Sequence, residues 1–337
     1  MIVMDWARGY TSEYYMTIVD PATWRDISRI EITGGSVKRD TDGLMQSASV
    51  DCINYPSGTE KWIRIWLDTE QAGENGHEPL FTGIATSPEQ NWDGNMHEDP
   101  IECYSVLKPA DDVDLLPGWY APAGMSGGAV IRSLLAQTTP APVIVAEGSP
   151  TLSSHIIAEG NETHLTMVQK ILTAIGWRLR ITGNGVISVE PYSDDPVIVF
   201  DPAGNDMIET RIDTANDWYG CPNVFMAIQD DVTAIAKDET GDSILSVGNR
   251  GREVWMQESG CNTADNESLE QYSMRRLKEE QQMQQTASYG RRYHPDVLPG
   301  DAIMMRYQEQ GVAGIYHVNS QSIALSHEAR TDEEIAA

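Results

Sequence analysis

Between Leu165 and Ile175 the apolar residues Leu165, Val168, Leu172 and Ile175 recur at steps of three and four, the spacing of one helix face. At Trp177 the period drops to two: Trp177, Leu179 and Ile181 alternate with Arg178 and Arg180, which predicts a strand with one buried face. Between these two patterns stands Gly176, where a left-handed helix end is wanted. Ahead of the helix Asn161 offers an N-cap and Glu162 places negative charge in the first turn. Gly183-Asn184-Gly185 supplies a tight turn, and Val186 to Val189 return as the second strand of a hairpin. Residues 160–192 therefore read as a helix followed by a hairpin, with no catalytic side chain prominent in them.

The same reading extended along the chain predicts a β-rich opening. Strands are expected at 14–19, 27–33, 47–53, 62–67, 80–86 and 100–107, separated by Asp20-Pro21, Gly34-Gly35, Asp40-Thr41-Asp42-Gly43 and Tyr55-Pro56-Ser57-Gly58, with an exposed polar loop over 69–79. Short strands between Gly, Pro and Asp turns argue for an antiparallel sandwich or barrel. A Pro- and Asp-rich stretch over 109–122 marks a boundary. A short helix follows over 129–137, capped by Ser126. Asp194-Asp195-Pro196 marks a second break. Strands are expected again at 197–200, 207–212, 224–228 and 233–237, with turns at Gln229-Asp230-Asp231 and Asp201 to Asp206. The longest helix is placed at 262–285, capped by Asn262 or Thr263, with a thin apolar stripe of Leu269, Tyr272 and Leu277. Pro299-Gly300-Asp301 turns into closing strands at 302–307 and 314–325. From Thr331 onward the sequence reads as a frayed acidic tail.

Length and composition set the outer limits. The 337 residues suffice for two to three domains, and 40% hydrophobic with 22% charged residues is ordinary for a folded chain. No apolar run reaches the ~18–20 residues of a membrane span. The first fifteen residues lack the basic and apolar regions of a secretory leader, so synthesis in the cytoplasm is expected. Charge changes the picture more: 51 Asp and Glu against 23 Lys and Arg give −28 at neutral pH. A field of that sign repels phosphate backbones and disfavours anionic membranes. It serves solubility, or a surface that polyanions pass without sticking.

Candidate chemistry is thin. Cys52, Cys103, Cys221 and Cys261 form no C-x-x-C pair and read as buried small hydrophobes rather than disulfides or zinc ligands. Gly124-Met125-Ser126-Gly127-Gly128 matches G-x-S-x-G, but the nucleophile elbow needs a central strand before it, and Trp119 to Ala123 make a poor one. A plain N-cap at Ser126 accounts for the motif. The histidines, at 77, 97, 155, 164, 294, 317 and 327, show no metal-binding spacing. Asp40-x-Asp42-Gly43 lacks the later ligands of a calcium loop and reads as a turn. Arg275-Arg276-Lys278, among acids, reads as an ion-pair set within the helix or between subunits; Arg291-Arg292 is the only other basic cluster. The nine tryptophans are expected mostly as core or interface anchors. No catalytic, cofactor or metal residue is assigned.

Three segments carry a resemblance. Arg29-Ile30-Glu31-Ile32 and, later, Leu80-Phe81-Thr82-Gly83-Ile84-Ala85 look like the opening of a tail-tube-like barrel; Glu162 to Tyr192 is similar to a middle-domain helix and hairpin; the helix at 262–285, with Pro299-Gly300-Asp301 and Gly314 to Ile323, looks like a closing barrel. Together they resemble the tail (baseplate) hub proteins of long-tailed bacteriophages and contractile injection particles. The resemblance implies an α+β, mostly β chain: a tube-like antiparallel β-barrel domain over 1–108, a small helix–hairpin α+β domain over 109–195, and a second tube-like barrel domain over 196–337. It implies a homotrimeric ring that mimics the six-fold tail tube, joins tube to spike or tip, and leaves a channel for DNA and the tape-measure protein. Some such hubs carry a lysozyme or peptidase domain; this sequence, ending at residue 337, is expected to be structural and not an enzyme, located in the virion tail. Two other readings stand beside it: a cytoplasmic serine hydrolase using Ser126 with His155 or His164, and a cell-wall-binding module built on the helix–hairpin unit.

Overall fold

The computed structural model describes all residues except 1–3, 57, 87–90, 94–95, 204–206, 217, 282–284 and 327–328, and the side chains of 91–93 and 96. His327, the Trp92 side chain and residues 204–206 of the turn expected at Asp201 to Asp206 lie outside the described residues.

Seven strands open the chain: β1 (Thr11–Asp20), β2 (Arg25–Asp40), β3 (Gln46–Ile53), β4 (Lys61–Gln71), β5 (Glu74–Ala85), β6 (Asn91–Asp93) and β7 (Met96–Ser105). The pairings β1–β4, β4–β5, β5–β7, β7–β3, β3–β2 and β2–β1 are all antiparallel and return to their start, so six strands close a ring. Alternate positions point inward: Ile63, Ile65 and Leu67 of β4 are fully buried, as are Met16 of β1 and Leu80 and Phe81 of β5, the last two consecutive because a bulge shifts the β4–β5 register there. Each such side chain contributes roughly 1.5–3 kcal/mol of burial.

The middle of the chain holds α1 (Lys108–Asp112), β8 (Tyr120–Ala121), α2 (Gly127–Ala136), β9 (Val143–Val145), β10 (Ile156–Ile157), α3 (His164–Ile175), β11 (Trp177–Ile181) and β12 (Ile187–Pro191). β11, β12 and β9 form one small sheet, with β12–β9 parallel. α2 and α3 bury Ile131, Leu134, Leu135, Val168 and Ile171 in a core that also takes Ile187 and Val189.

The remainder comprises β13 (Ile198–Phe200), β14 (Ile208–Asn216), β15 (Val224–Gln229), β16 (Val232–Lys237), α4 (Val247–Arg250), β17 (Trp255–Ser259), α5 (Leu269–Gln281), β18 (Gln285–Arg291), β19 (Ala302–Tyr307), β20 (Val312–Ala324) and β21 (Thr331–Ala336). β20 pairs with β2, so the last strands extend the sheet begun by the first; β21, β18 and β14 follow in order, and β19 and β13 branch from β20. The molecule is mostly β, and its first and last segments share one thirteen-stranded sheet and one core. Separately, β16, β15 and β17 form a small sheet with α5 on one face, through Phe225, Ala227, Tyr272 and Leu277.

Several expectations are corrected. Gly34-Gly35 is no turn but a point inside β2 where the register with β3 shifts. Gly35 has φ 136, and a Cβ there would lie 2.2 Å from the Ser49 carbonyl oxygen. Consecutive glycines in a strand thus mark close backbone approach as well as reversal. Residues 69–79 are not an open loop: β4 and β5 run on to a two-residue turn at Ala72-Gly73, both with positive φ. Their polar tips project beyond the core, so no hydrophobic alternation betrays them.

The long helix is shorter than expected. α5 begins after Ser268, whose hydroxyl accepts from the Gln271 N–H while the Gln271 side chain accepts from the Ser268 N–H, a reciprocal capping box. Thr263 instead lies outside the helix, its carbonyl accepting from Ser153, and 282–284 lie outside the described residues. α3 is capped by Thr163, which accepts from the Thr166 N–H; Asn161 sits in a left-handed turn with φ 67. Gly176 ends that helix with φ 65, as its position predicts. The tail from Thr331 is not frayed: β21 lies between β20 and β18, with Thr331, Glu333 and Ile335 buried.

Candidate functional site

Strand alternation that buries one face of β7, β3, β2, β20, β21 and β18 turns the other outward. In register across those six strands stand Tyr104, Ser47, Lys38, Ser322, Asp332 and Gly290. A neighbouring row reads Asp40, Ser320, Glu334, Ser288 and Asp213, reaching β14. The rows line a broad groove of about 900 Å³, with Asp42, Glu209, Arg211 and Arg330 at its sides. Six carboxylates (Asp40, Asp42, Glu209, Asp213, Asp332 and Glu334) face three cations (Lys38, Arg211 and Arg330) on this surface. Arg330 is bound to Glu209 and Asp332, and Arg211 to Asp213. What is left is hydroxyls, Lys38 and the carboxylates Asp40, Asp42 and Glu334, a face of net negative charge that offers few apolar anchors.

A buried polar layer holds the face in place. Arg291 and Glu333, both without exposed side-chain surface, pair through Nη2 to Oε2 at 2.6 Å and Nε to Oε1 at 3.0 Å. Tyr289 Oη donates to Glu333 Oε1 at 2.6 Å, and Gln321 Nε2 donates to Oε2 at 2.7 Å. Gln321 Oε1 accepts from Arg39 Nη1, and Arg39 Nη2 donates to the Leu80 carbonyl at 2.6 Å. The chain of bonds crosses the β2–β20 seam, tying the closed ring of strands to the later ones. Burial works against the Arg291 charge, but Glu333 more than compensates and raises its pKa. Burial and the same carboxylate push Tyr289 well above its ordinary 10.

The middle unit is fastened to both sides. Asp301, in the Pro299-Gly300-Asp301 turn, accepts from Arg178 Nη2 at 3.1 Å and from Arg180 Nε and Nη2 at 3.1 and 3.0 Å. Arg178 and Arg180 read as the outward face of a strand; they point instead at a neighbouring module. At the hairpin tip the Gly183 carbonyl accepts from Thr82 at 2.7 Å and the Asn184 carbonyl from Trp24 Nε1 at 2.9 Å. A Cβ on Gly183 would lie 1.7 Å from the Pro79 carbonyl oxygen, so this turn is also a docking point.

Residues singled out by motif fall elsewhere. Ser126 caps α2, accepting from the Ala129 N–H. His155 Nδ1 accepts from the Ala123 N–H, and the His164 ring bonds the Val113 carbonyl, so neither imidazole is brought to Ser126 by those bonds. His77 stacks on Trp66 and pairs with Asp68, while His317 pairs with Asp194. All four cysteines are buried, and none is in a disulfide. Among the described residues no group of three or more His, Cys, Asp or Glu is arranged to hold a metal ion, and no helix is long and apolar enough to cross a membrane. Arg275 and Arg276 form the expected ion-pair set: Arg275 binds Glu267 and Glu279, and Arg276 binds Glu258, Glu279 and Glu280. Arg275 also donates to the Thr173 carbonyl in the last turn of α3. Sequence reasoning missed Glu333 and Asp301. The sequence carries no signal for the first: in Thr331-Asp332-Glu333-Glu334-Ile335 the buried positions are a Thr, a Glu and an Ile, so no apolar alternation marks the strand.

No protein-family model matches the sequence, and no curated protein matches it. Solved structures do match its fold. A tail protein from Neisseria meningitidis MC58 superposes with a TM-score of 0.69 at 16% identity, covering 98% of this chain and 97% of that one. The 43 kDa tail protein of prophage MuSo2 from Shewanella oneidensis gives 0.68 at 11% identity, covering 97% and 98%. The E. coli c3393 protein, a type VI secretion component described as structurally similar to the T4 tail proteins gp27 and gp5, gives 0.55 at 8% identity, covering 91% and 73%. The chain has the fold of phage tail proteins along nearly its whole length, as the three resembling segments imply.

Proposed function

We propose that this chain is a structural subunit of a phage or phage-like tail: one third of a homotrimeric hub ring, located in the virion and assembled in the host cytoplasm. In this reading residues 1–108 and 196–337 form the tube-like portions and 109–195 the accessory domain between them. The ring joins the tail tube protein above to a spike or tip protein below, and the channel passes DNA and the tape-measure chain.

The observation that carries the proposal is the long polar groove. It crosses seven strands of the sheet shared by the two tube-like portions, and it carries hydroxyls and a surplus of carboxylates. Three copies arranged with these faces inward would enclose a lumen of one sign. At −28 per chain the trimer carries about −84. Such a wall keeps a passing polyanion from adhering, because the net field of its surplus carboxylates repels phosphate. No enzymatic step is part of the reading.

Sedimentation equilibrium combined with electron microscopy tests it. The expected result is a mass of three chains and a closed ring whose pore is lined by Asp40, Asp332 and Glu334. A protomer at every concentration, or a ring with a neutral or basic pore, overturns it.

A further inference from the structure

The small sheet of β16, β15 and β17 carries α5 on one side only. At its end lies a surface unlike the rest of the molecule. Trp218 and Tyr219 are 51% and 83% exposed, and Trp255 is 49% exposed. Arg250 donates to the carbonyls of Trp218, Tyr219 and Cys221, and Arg252 donates to the Tyr219 carbonyl with its guanidinium 4.9 Å from that ring's centre. Lys237 lies over Trp255 at 5.7 Å. In a chain with more than twice as many acids as bases, most arginines are bound to carboxylates. Among the described residues Arg250 and Arg252 make no ion pair, and their partners are backbone carbonyls and a ring. Exposed Trp, Tyr and Arg together have the composition of the energetic centre of a protein interface.

We infer that this aromatic–arginine patch is the contact surface for a second copy of the chain, and that it meets the acidic ridge Asp112-Val113-Asp114 with Leu116. The ridge supplies the complementary chemistry: Val113, 43% exposed, stands between the exposed Asp112 and Asp114, and Leu116 beyond them is 78% exposed; Lys108 pairs with Asp112, and among the described residues Asp114 makes no ion pair. Patch against patch would set arginines against arginines, so a symmetric two-fold contact is disfavoured by like charge. Patch against ridge is heterologous, and a heterologous contact that closes generates a ring. The inference rests on the ring proposed above and adds the surface through which neighbours meet.

Sedimentation velocity on four proteins tests it: wild type, Tyr219→Ala, Arg252→Glu, and Arg252→Glu with Asp114→Arg. Tyr219 is so exposed that its loss spares the fold, which circular dichroism checks for every variant. Tyr219→Ala and Arg252→Glu are each expected to raise the dissociation constant of the assembly at least tenfold, and adding Asp114→Arg to restore it. Assembly of both single variants at wild-type strength overturns the inference while leaving the ring intact. So does loss of assembly in Arg252→Glu that Asp114→Arg does not repair. A wild type that never assembles removes the ring reading itself.

Discussion

Glu333 stands on the buried face of its strand, between positions where apolar side chains would normally sit, and its worth depends on its partners. Arg291, Tyr289 and Gln321 satisfy both carboxylate oxygens. A buried pair built this way adds little over a well-packed apolar one, but removing one charge strands the other. Glu333→Gln is therefore expected to cost about 3–5 kcal/mol. The measurement is the urea midpoint, with an unchanged slope showing that stability alone has moved. Cys52 makes a second case. Burial, with Asp99 and Asp51 nearby, raises its thiol from the ordinary 9.0 to about 12. The folded protein then holds that proton more tightly than the unfolded chain does. Its contribution is whole below pH 9 and is lost as pH climbs toward 12, by about 1.4 kcal/mol per pH unit. Urea titrations between pH 9 and 10.5 should show a shallower decline for Cys52→Ala than for wild type; equal slopes would refute the assignment.

At the scale of elements, local signals chose the helices and tertiary contacts chose their ends. Asn161 and Thr163 are both cap-forming residue types two positions apart, and only Thr163 bonds an N–H inside α3. Thr163→Ala should lower stability by about 1 kcal/mol, whereas Asn161→Gly, which keeps the left-handed turn, should leave that cap and the stability nearly unchanged, a contrast that thermal unfolding resolves. The hairpin of β11 and β12 makes the stronger point. Its turn glycines satisfy a local requirement, yet Gly183 is held within van der Waals reach of Pro79 in a distant strand. Gly183→Ala must either push the tip off the closed ring of strands or distort both, a cost of more than about 2 kcal/mol. Faster amide exchange at Thr82 and Asn184 would show that the tip has lifted; unchanged protection there would count against docking.

For the molecule as a whole, charge is the property that acts at long range. A net charge of −28 on 337 residues, with surplus carboxylates along one groove, forbids the usual electrostatic attraction to nucleic acid. The protein should pass through a DNA-cellulose column unretained even at about 50 mM salt, where counterion release most favours binding. Retention would contradict the proposed lumen. The same scale explains why first and last segments share a core. β2 pairs with β20, and Arg39 bonds Gln321 across that seam, so the sheet and its polar layer are continuous over a sequence separation of 282 residues.

What the sequence determined unaided is the content that local physics controls: the mostly β composition, the helix–hairpin unit with its helix ended by Gly176, the cap at Ser126, and the strands at 224–228, 233–237 and 302–307. Periodicity and turn chemistry act over a few residues, so one chain contains them in full. The sequence also determined the sign of the surface field, since net charge is a sum over residues. Only the tertiary structure decided that Thr331–Ala336 is an interior strand, that Arg178 and Arg180 meet Asp301, that Gly35 and Gly183 mark close approaches, and that hydroxyls and acids from seven strands form one groove. Each of those facts is a pairing between residues far apart along the chain. Such pairings follow from sheet register, and register is set by the whole core closing at once.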